Sequence, residues 1–213
     1  MDDLKKLGEI FDAGCDAAHL GQSIIERLGS EREGTGFCSD LETVAYVVFG
    51  KAFKTFHAAK ILCLHGYGAD ALALCASLFE KHLEMFPKQS CWWKSSGKGS
   101  KRARVTLRDR AKAVGLGKRY DTSYYIFCSH KHTGPSAASG FMFRHEEGVD
   151  VILGPNLKGV YNAVQHSTMH FLDLCGVFQD VYKLGIEAEV KALIERVTET
   201  GRQVLRAHPD LCV

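Results

Sequence analysis

One apolar stretch, Ile61 to Glu80, constrains the fold of this chain more than any other segment. It reads ILCLHGYGADALALCASLFE, with no Lys or Arg, and its only acid before the closing Glu80 is Asp70. The stretch is too long for a strand and too polar and interrupted for a membrane span. We therefore predict a buried helix from about Thr55 to Phe86, which Pro87 stops.

A rotation of about 100° per residue divides this predicted helix into two faces. One face is broad and apolar. The other carries small residues that allow a second helix to approach closely: Ala59, Gly66, Ala69, Ala73, Ala76 and Ser77. Glu80 lies at the end of the small-residue face. A buried carboxylate must be ion-paired, hydrogen-bonded or protonated, so the partners of Glu80 are the first functional question.

Helical patterns dominate the rest of the chain, which has 213 residues. They predict a single all-α domain over residues 1–213, a multi-helix bundle around the helix at about 55–86. The segment FMFRHEEGVDVIL, residues 141–153, alternates enough to leave a small β-hairpin insertion open.

The composition predicts a cytoplasmic protein. The N-terminus is amphipathic rather than a signal peptide, and no apolar run reaches membrane-spanning length, so we expect no membrane partner. The eight cysteines include no CxxC pair and are typical of free thiols in a reducing compartment. The motifs of dinucleotide, P-loop and zinc-protease sites are missing, and we expect no cofactor.

The charge is unevenly distributed. The net charge is +2, yet residues 94–119 hold ten Lys and Arg and one acid, Asp109. Aromatic residues beside flexible cations suit RNA or single-stranded nucleic acid. The residues that we expect to contact phosphates and bases are Trp92, Trp93, Lys98, Lys101, Arg102 and Arg104. The alternative is a solvated loop that pairs with the acidic remainder of the chain.

Three segments resemble the bacterial domain-of-unknown-function family numbered 5677: ADALALCASLFE, AKAVGLGKRYDTSYYIFCSHKHTGPSAA and GPNLKGVYNAVQHSTMHFLDL. The resemblance extends over residues 44–188 and implies a helical fold. In the family, one helix ends in Arg-Ser-x-Phe-Glu, and Tyr-x-x-x-Tyr and Ser-x-x-His follow. This chain has Ala76 where the family has Arg. Glu80 therefore needs another partner, and the candidates are His132, Lys131 and Arg144.

The resemblance places four residues in one candidate site: Glu80, Tyr124, Ser129 and His132. A carboxylate beside an imidazole can orient it and raise its pKa, which suits general acid–base chemistry near neutral pH. The tyrosine and serine hydroxyls could bind a phosphate or orient a water molecule. The alternative is a buried polar network that holds two helices together.

A second group, His166, His170 and Asp173, has the spacing of metal ligands on a helix. The core side of the same helix is defined by its apolar positions: Val160, Tyr161, Val164, Thr168, Phe171, Cys175, Phe178 and Tyr182. The three polar residues fall roughly opposite that side. We therefore predict that they form a solvent-exposed or dimer face and that the chain has no metal site.

Two functions from different classes remain open. The first is a bacterial defence- or toxin-like protein that acts on RNA as a metal-independent ribonuclease, with His132 as the general acid–base. It has a loose analogy to HEPN-type helical ribonucleases, which use an Arg and a His a few residues apart, as in Arg202 to His208, and often work as dimers. The second is a non-catalytic helical module that binds a small ligand or a partner protein through the same polar residues.

Overall fold

The structure of the chain, a computed structural model, describes residues 2–34, 36, 39–85, 106–132, 142–145, 148–151, 155 and 159–207. These residues form an all-α multi-helix bundle, which confirms the predicted fold class. The helices are α1 (Asp2–Arg32), α2 (Asp40–Leu64), α3 (Gly68–Glu84), α4 (Leu107–Ala113), α5 (Gly117–Arg119), a π-helical turn (Tyr120–Tyr124), α6 (Tyr125–Lys131), α7 (Val160–Tyr182) and α8 (Glu187–Ala207). Each helix of this described part is too short or too polar to cross a bilayer.

One antiparallel strand pair lies within the segment where the sequence left a hairpin open. It consists of β1 (Met142–His145) and β2 (Gly148–Val151). In its register Met142 is opposite Val151, and His145 is opposite Gly148. Residues 146–147, which join the strands, lie outside the described residues.

The apolar stretch that was predicted as one helix from about Thr55 to Phe86 is divided into two helices, α2 and α3. The division follows from Gly66, whose φ of 81° is in the left-handed region that favours glycine. The amide of Gly66 donates to the carbonyl of Cys63, and the amide of Tyr67 donates to that of Leu62 at 2.8 Å. These two bonds form a Schellman motif, which ends α2 and lets α3 begin in a new direction.

Helix α7 lies between two apolar clusters and contributes side chains to both. Its neighbours are α1, α2, α3 and α8. Phe171 and Phe178 belong to one cluster, and Val160 and Val164 belong to the other. The ring of Phe171 stacks on that of Phe56 with 4.5 Å between centroids. Because helices pack on more than one side of α7, residues outside its apolar stripe are buried as well.

The N-termini of α3 and α7 approach each other closely at Gly68. A Cβ atom built on Gly68 would lie 2.2 Å from the backbone nitrogen of Val160 and 2.5 Å from the carbonyl carbon of Gly159. Both contacts are with backbone atoms, which cannot rotate away. The absence of a side chain at Gly68 therefore sets how closely α3 and α7 pack, and α3 carries Glu80.

We expect Gly68→Ala to lower the free energy of unfolding by about 1–3 kcal/mol, because the added methyl group forces the two helices apart. Urea denaturation followed by circular dichroism measures the loss. Gly29→Ala in α1 is the matched control, because a Cβ atom there meets nothing within 4 Å. In the control, the better helix propensity of alanine should leave stability unchanged or raise it by up to about 1 kcal/mol. Equal stabilities of the two variants would contradict the close packing at Gly68.

Candidate functional site

Glu80 has two partners among the described residues, and both come from the helical segment that starts at α5. The hydroxyl of Tyr124 donates a hydrogen bond to Oε1 of Glu80 at 2.7 Å. The ammonium group of Lys131 lies 3.4 Å from the same oxygen. Lys131 was one of three partners that the sequence suggested, and it supplies the cation that Ala76 cannot. The side chain of Arg144 lies outside the described residues.

Tyr124 is the best-fixed member of this site. It is buried in the π-helical turn, its ring stacks on Tyr120 at 4.9 Å, and it lies 5.1 Å from Phe79. Burial raises the pKa of Tyr124 well above its ordinary value, and hydrogen bonds to Cys128 and Glu80 raise it further. Tyr124 therefore stays protonated and acts as a hydrogen-bond donor that orients the carboxylate.

The structure does not bring Ser129 and His132 into the group that Glu80 forms with Tyr124 and Lys131. Ser129 is half-buried on α6, and His132 is exposed at the C-terminal end of that helix. Within the described part of the chain, the hydrogen bonds and ion pairs of Glu80 go to Tyr124 and Lys131 and not to His132. The side chains of Glu80 and Lys131 are 32% and 38% exposed, so this ion pair lies at the surface.

The basic segment is described only in its second half. The six predicted contact residues Trp92, Trp93, Lys98, Lys101, Arg102 and Arg104 lie outside the described residues, as does His208 of the Arg202–His208 pair. In the described half, Lys112 and Lys118 are exposed on α4 and α5. Arg108 donates to Asp121 at 2.9 Å, and this bond ties α4 to the π-helical turn that carries Tyr124.

The prediction that the polar residues of α7 form an exposed face is wrong. His170 is only 3% exposed, His166 is half-buried, and the side chain of Asp173 is 14% exposed. The cause is the packing of α3 and α6 against the side of α7 that the apolar pattern had left for solvent. The ring of Phe127 on α6 lies 5.0 Å from that of His166 and 5.6 Å from that of His170.

Sequence reasoning also missed His82, which is buried on α3 and shares its surroundings with the polar residues of α7. Burial, and to a smaller extent the nearby guanidinium of Arg119, lowers the pKa of His82 and of His166 to about 4. Burial likewise lowers the pKa of His170 well below its ordinary value. The only sign of His82 in the sequence was its position two residues after Glu80. A helical step of two residues turns His82 away from Glu80.

Protein-family models, curated proteins and solved structures were compared with the chain, and no significant match was found. The resemblance to family 5677 and the analogy to HEPN-type ribonucleases therefore stay predictions.

Proposed function

We propose that this chain binds single-stranded RNA through its basic segment, residues 94–119, and the polar site around Glu80. One observation carries the proposal: the Tyr124–Glu80 hydrogen bond fastens the helical segment that continues from the basic residues onto α3. The exposed lysines of the described half, Lys112 and Lys118, and the Glu80 site thus lie on connected elements. The ring of Tyr125, 73% exposed on α6, adds an aromatic surface on which a base can stack.

Two versions of this function differ in chemistry. In the catalytic version the protein is a defence- or toxin-like ribonuclease of a bacterial cytoplasm. His132 transfers the proton, and Glu80 orients the imidazole of His132. In the binding version the protein holds RNA without cleaving it. The contacts of the described residues favour the binding version, because Oε1 of Glu80 already accepts from Tyr124 and Lys131. A small-molecule or protein ligand at the same residues is the remaining alternative.

Fluorescence anisotropy with a labelled single-stranded RNA, repeated over a salt series, tests the proposal. The triple variant Lys101→Ala, Arg102→Ala, Arg104→Ala should bind more weakly, and the negative slope of log K against log salt should become shallower by about 2, at about 0.7 per lost phosphate contact. The matched control removes three exposed lysines from outside the segment: Lys5, Lys54 and Lys191. Identical affinity and slope in the two triple variants would reject RNA binding by the segment.

The two versions are separated by incubating the same RNA with Glu80→Gln and His132→Ala variants that fold normally. The catalytic version requires that the wild type cleaves the RNA and that His132→Ala abolishes cleavage while RNA affinity is kept. The binding version requires intact RNA in all three samples. Cleavage that both variants retain in full would exclude Glu80 and His132 from the chemistry.

A further inference from the structure

Three metal-binding side chains from two helices converge in the interior beside α6. His82 comes from α3, and His170 and Asp173 come from α7, three positions apart and thus on one face. One potential ligand atom from each residue lies within 4.8 Å of the other two. This convergence is independent of the RNA proposal, because it involves none of the residues assigned to phosphate or to Glu80.

His170 provides a second observation that points to a ligand. It is 3% exposed, and neither of its ring nitrogens has a hydrogen-bond partner among the residues that the structure describes. A buried polar group without a partner destabilises the fold, so such groups are rare unless something else satisfies them. The edges of Phe79 and Phe127, each 5.6 Å from the imidazole between ring centroids, hold its ring in place.

We propose that His82, His170 and Asp173 form a binding site for one divalent transition-metal ion of the zinc class. Two imidazoles and one carboxylate are a known set of three protein ligands for zinc. Such a set leaves the fourth coordination position open for water. The hard-oxygen ions Mg²⁺ and Ca²⁺ are disfavoured, because they prefer sets of oxygen ligands. Ligand atoms around tetrahedral zinc are about 3.3 Å apart, so binding needs a contraction of at most about 1.5 Å from the present spacing, which is within 4.8 Å.

The protonation states suit such a site. A metal binds neutral imidazole, and burial lowers the pKa of His82 to about 4 and that of His170 well below its ordinary value. Both rings are therefore neutral at pH 7 and need not lose a proton to bind an ion. Burial raises the pKa of Asp173, and the Arg119 guanidinium, which donates to its carboxylate, opposes that rise.

Arg119 is the competitor of the ion for Asp173. Its guanidinium forms an ion pair with the carboxylate and supplies the positive charge that a metal would bring. The side chain of Arg119 is 44% exposed at the end of α5, so it can swing into solvent without leaving a buried charge behind. We therefore infer that metal binding displaces Arg119 from Asp173.

The site also has an access route. His82 and Asp173 line a groove of about 440 Å³ between α7 and α8. Asp180 and Glu187 line the same groove and make its wall acidic, although Lys191 lies there as well. An acidic groove raises the local concentration of cations at the two ligands that it reaches.

Calorimetric titration of the metal-free full-length protein with Zn²⁺ tests the proposal. We expect one ion per chain and a higher Tm with zinc, since the ion binds the folded state. His170→Ala and Asp173→Asn should each weaken zinc binding by about 100-fold or more, because each removes a direct ligand. His65→Ala, which removes an exposed histidine from the turn between α2 and α3, is the matched control and should bind like the wild type.

Asp173→Asn keeps the shape of the side chain, so it decides the outcome if His170→Ala does not fold. Arg119→Gln should bind zinc more tightly than the wild type, because the competing cation is gone. If the ion pair of Arg119 and Asp173 has only a structural role, Arg119→Gln should bind zinc no more tightly than the wild type. The proposal is overturned if the wild type shows no saturable zinc binding, or if Asp173→Asn and His65→Ala bind equally well. Weaker binding by Arg119→Gln would overturn the competition for Asp173.

Discussion

Between pH 6.5 and pH 4 the metal-free protein should lose several kcal/mol of unfolding free energy. The pKa of His82 and of His166 falls from about 6.5 in the unfolded chain to about 4 in the folded one, chiefly because burial disfavours the charged imidazole. Below pH 6.5 the unfolded state therefore binds more protons than the folded state, and stability decreases as the pH falls. Each histidine accounts for at most about 3 kcal/mol, at 1.36 kcal/mol per pKa unit.

Asp173 opposes this trend in part. Its pKa is raised by burial, so the folded state takes up a proton there more readily than the unfolded state, and this uptake stabilises the fold as the pH falls. Arg119, which remains charged throughout, adds to the cost of protonating His82 and His166. The net expectation is still a loss, because His82, His166 and His170 protonate readily in the unfolded chain and resist protonation in the fold.

Urea denaturation at half-unit pH steps, in the presence of a chelator, measures the profile. His166→Gln removes one of the three histidines whose pKa is strongly lowered, the others being His82 and His170, so the loss between pH 6.5 and pH 4 should shrink by about a third. His65→Ala, which removes an exposed histidine, should retain the full loss. A wild-type profile that is flat or rises toward pH 4 would show that the buried histidines do not titrate as their surroundings require.

Phe171→Ala should lower the free energy of unfolding by about 3–5 kcal/mol, the usual range for removing a fully buried phenylalanine. Phe171 has no exposed surface and lies against the rings of Phe49 and Phe56 at 5.6 and 4.5 Å. On its other side it fills the space over Gly21 of α1, where an added Cβ atom would come within 2.6 Å of its ring. Its removal would leave a cavity bounded by three helices.

Guanidinium denaturation measures this loss, with Leu205→Ala on α8 as the control. Leu205 is 54% exposed, so its truncation should change stability by no more than about 0.5 kcal/mol. A loss below about 1 kcal/mol for Phe171→Ala would mean that the helices collapse into the vacated space. The central packing around α7 would then be looser than the contacts indicate.

Local patterns in the sequence were sufficient to predict the fold class and the positions of most helices. Periodicity predicts a helix over Glu187–Arg206, which is α8 (Glu187–Ala207), and a short basic helix over Thr106–Val114, which is α4 (Leu107–Ala113). The division at Gly66 also had a local signal, since glycine is the usual residue just past a helix end. Our interpretation of Gly66 as a member of a small-residue face overlooked that signal.

The partners of Glu80 were only partly predictable. The resemblance brought Tyr124 to the carboxylate, and Ala76 in place of the family's Arg called for another partner, but the choice of Lys131 over His132 was not accessible from the pattern. The two residues are adjacent at the end of α6, and a helical step of about 100° separates their directions. Only the way α6 packs on α3 decides which of them faces Glu80.

The sequence by itself determined that the chain is helical, that Ile61–Glu80 is largely buried and that Glu80 needs a partner. Hydrophobic periodicity supports these conclusions because it shows which residues share a face of a helix. It does not show what covers a face. The tertiary structure decided that α3 and α6 enclose the polar side of α7, and that His82, His170 and Asp173 therefore meet in the interior. Their convergence depends on contacts between segments far apart in sequence, which no local pattern records.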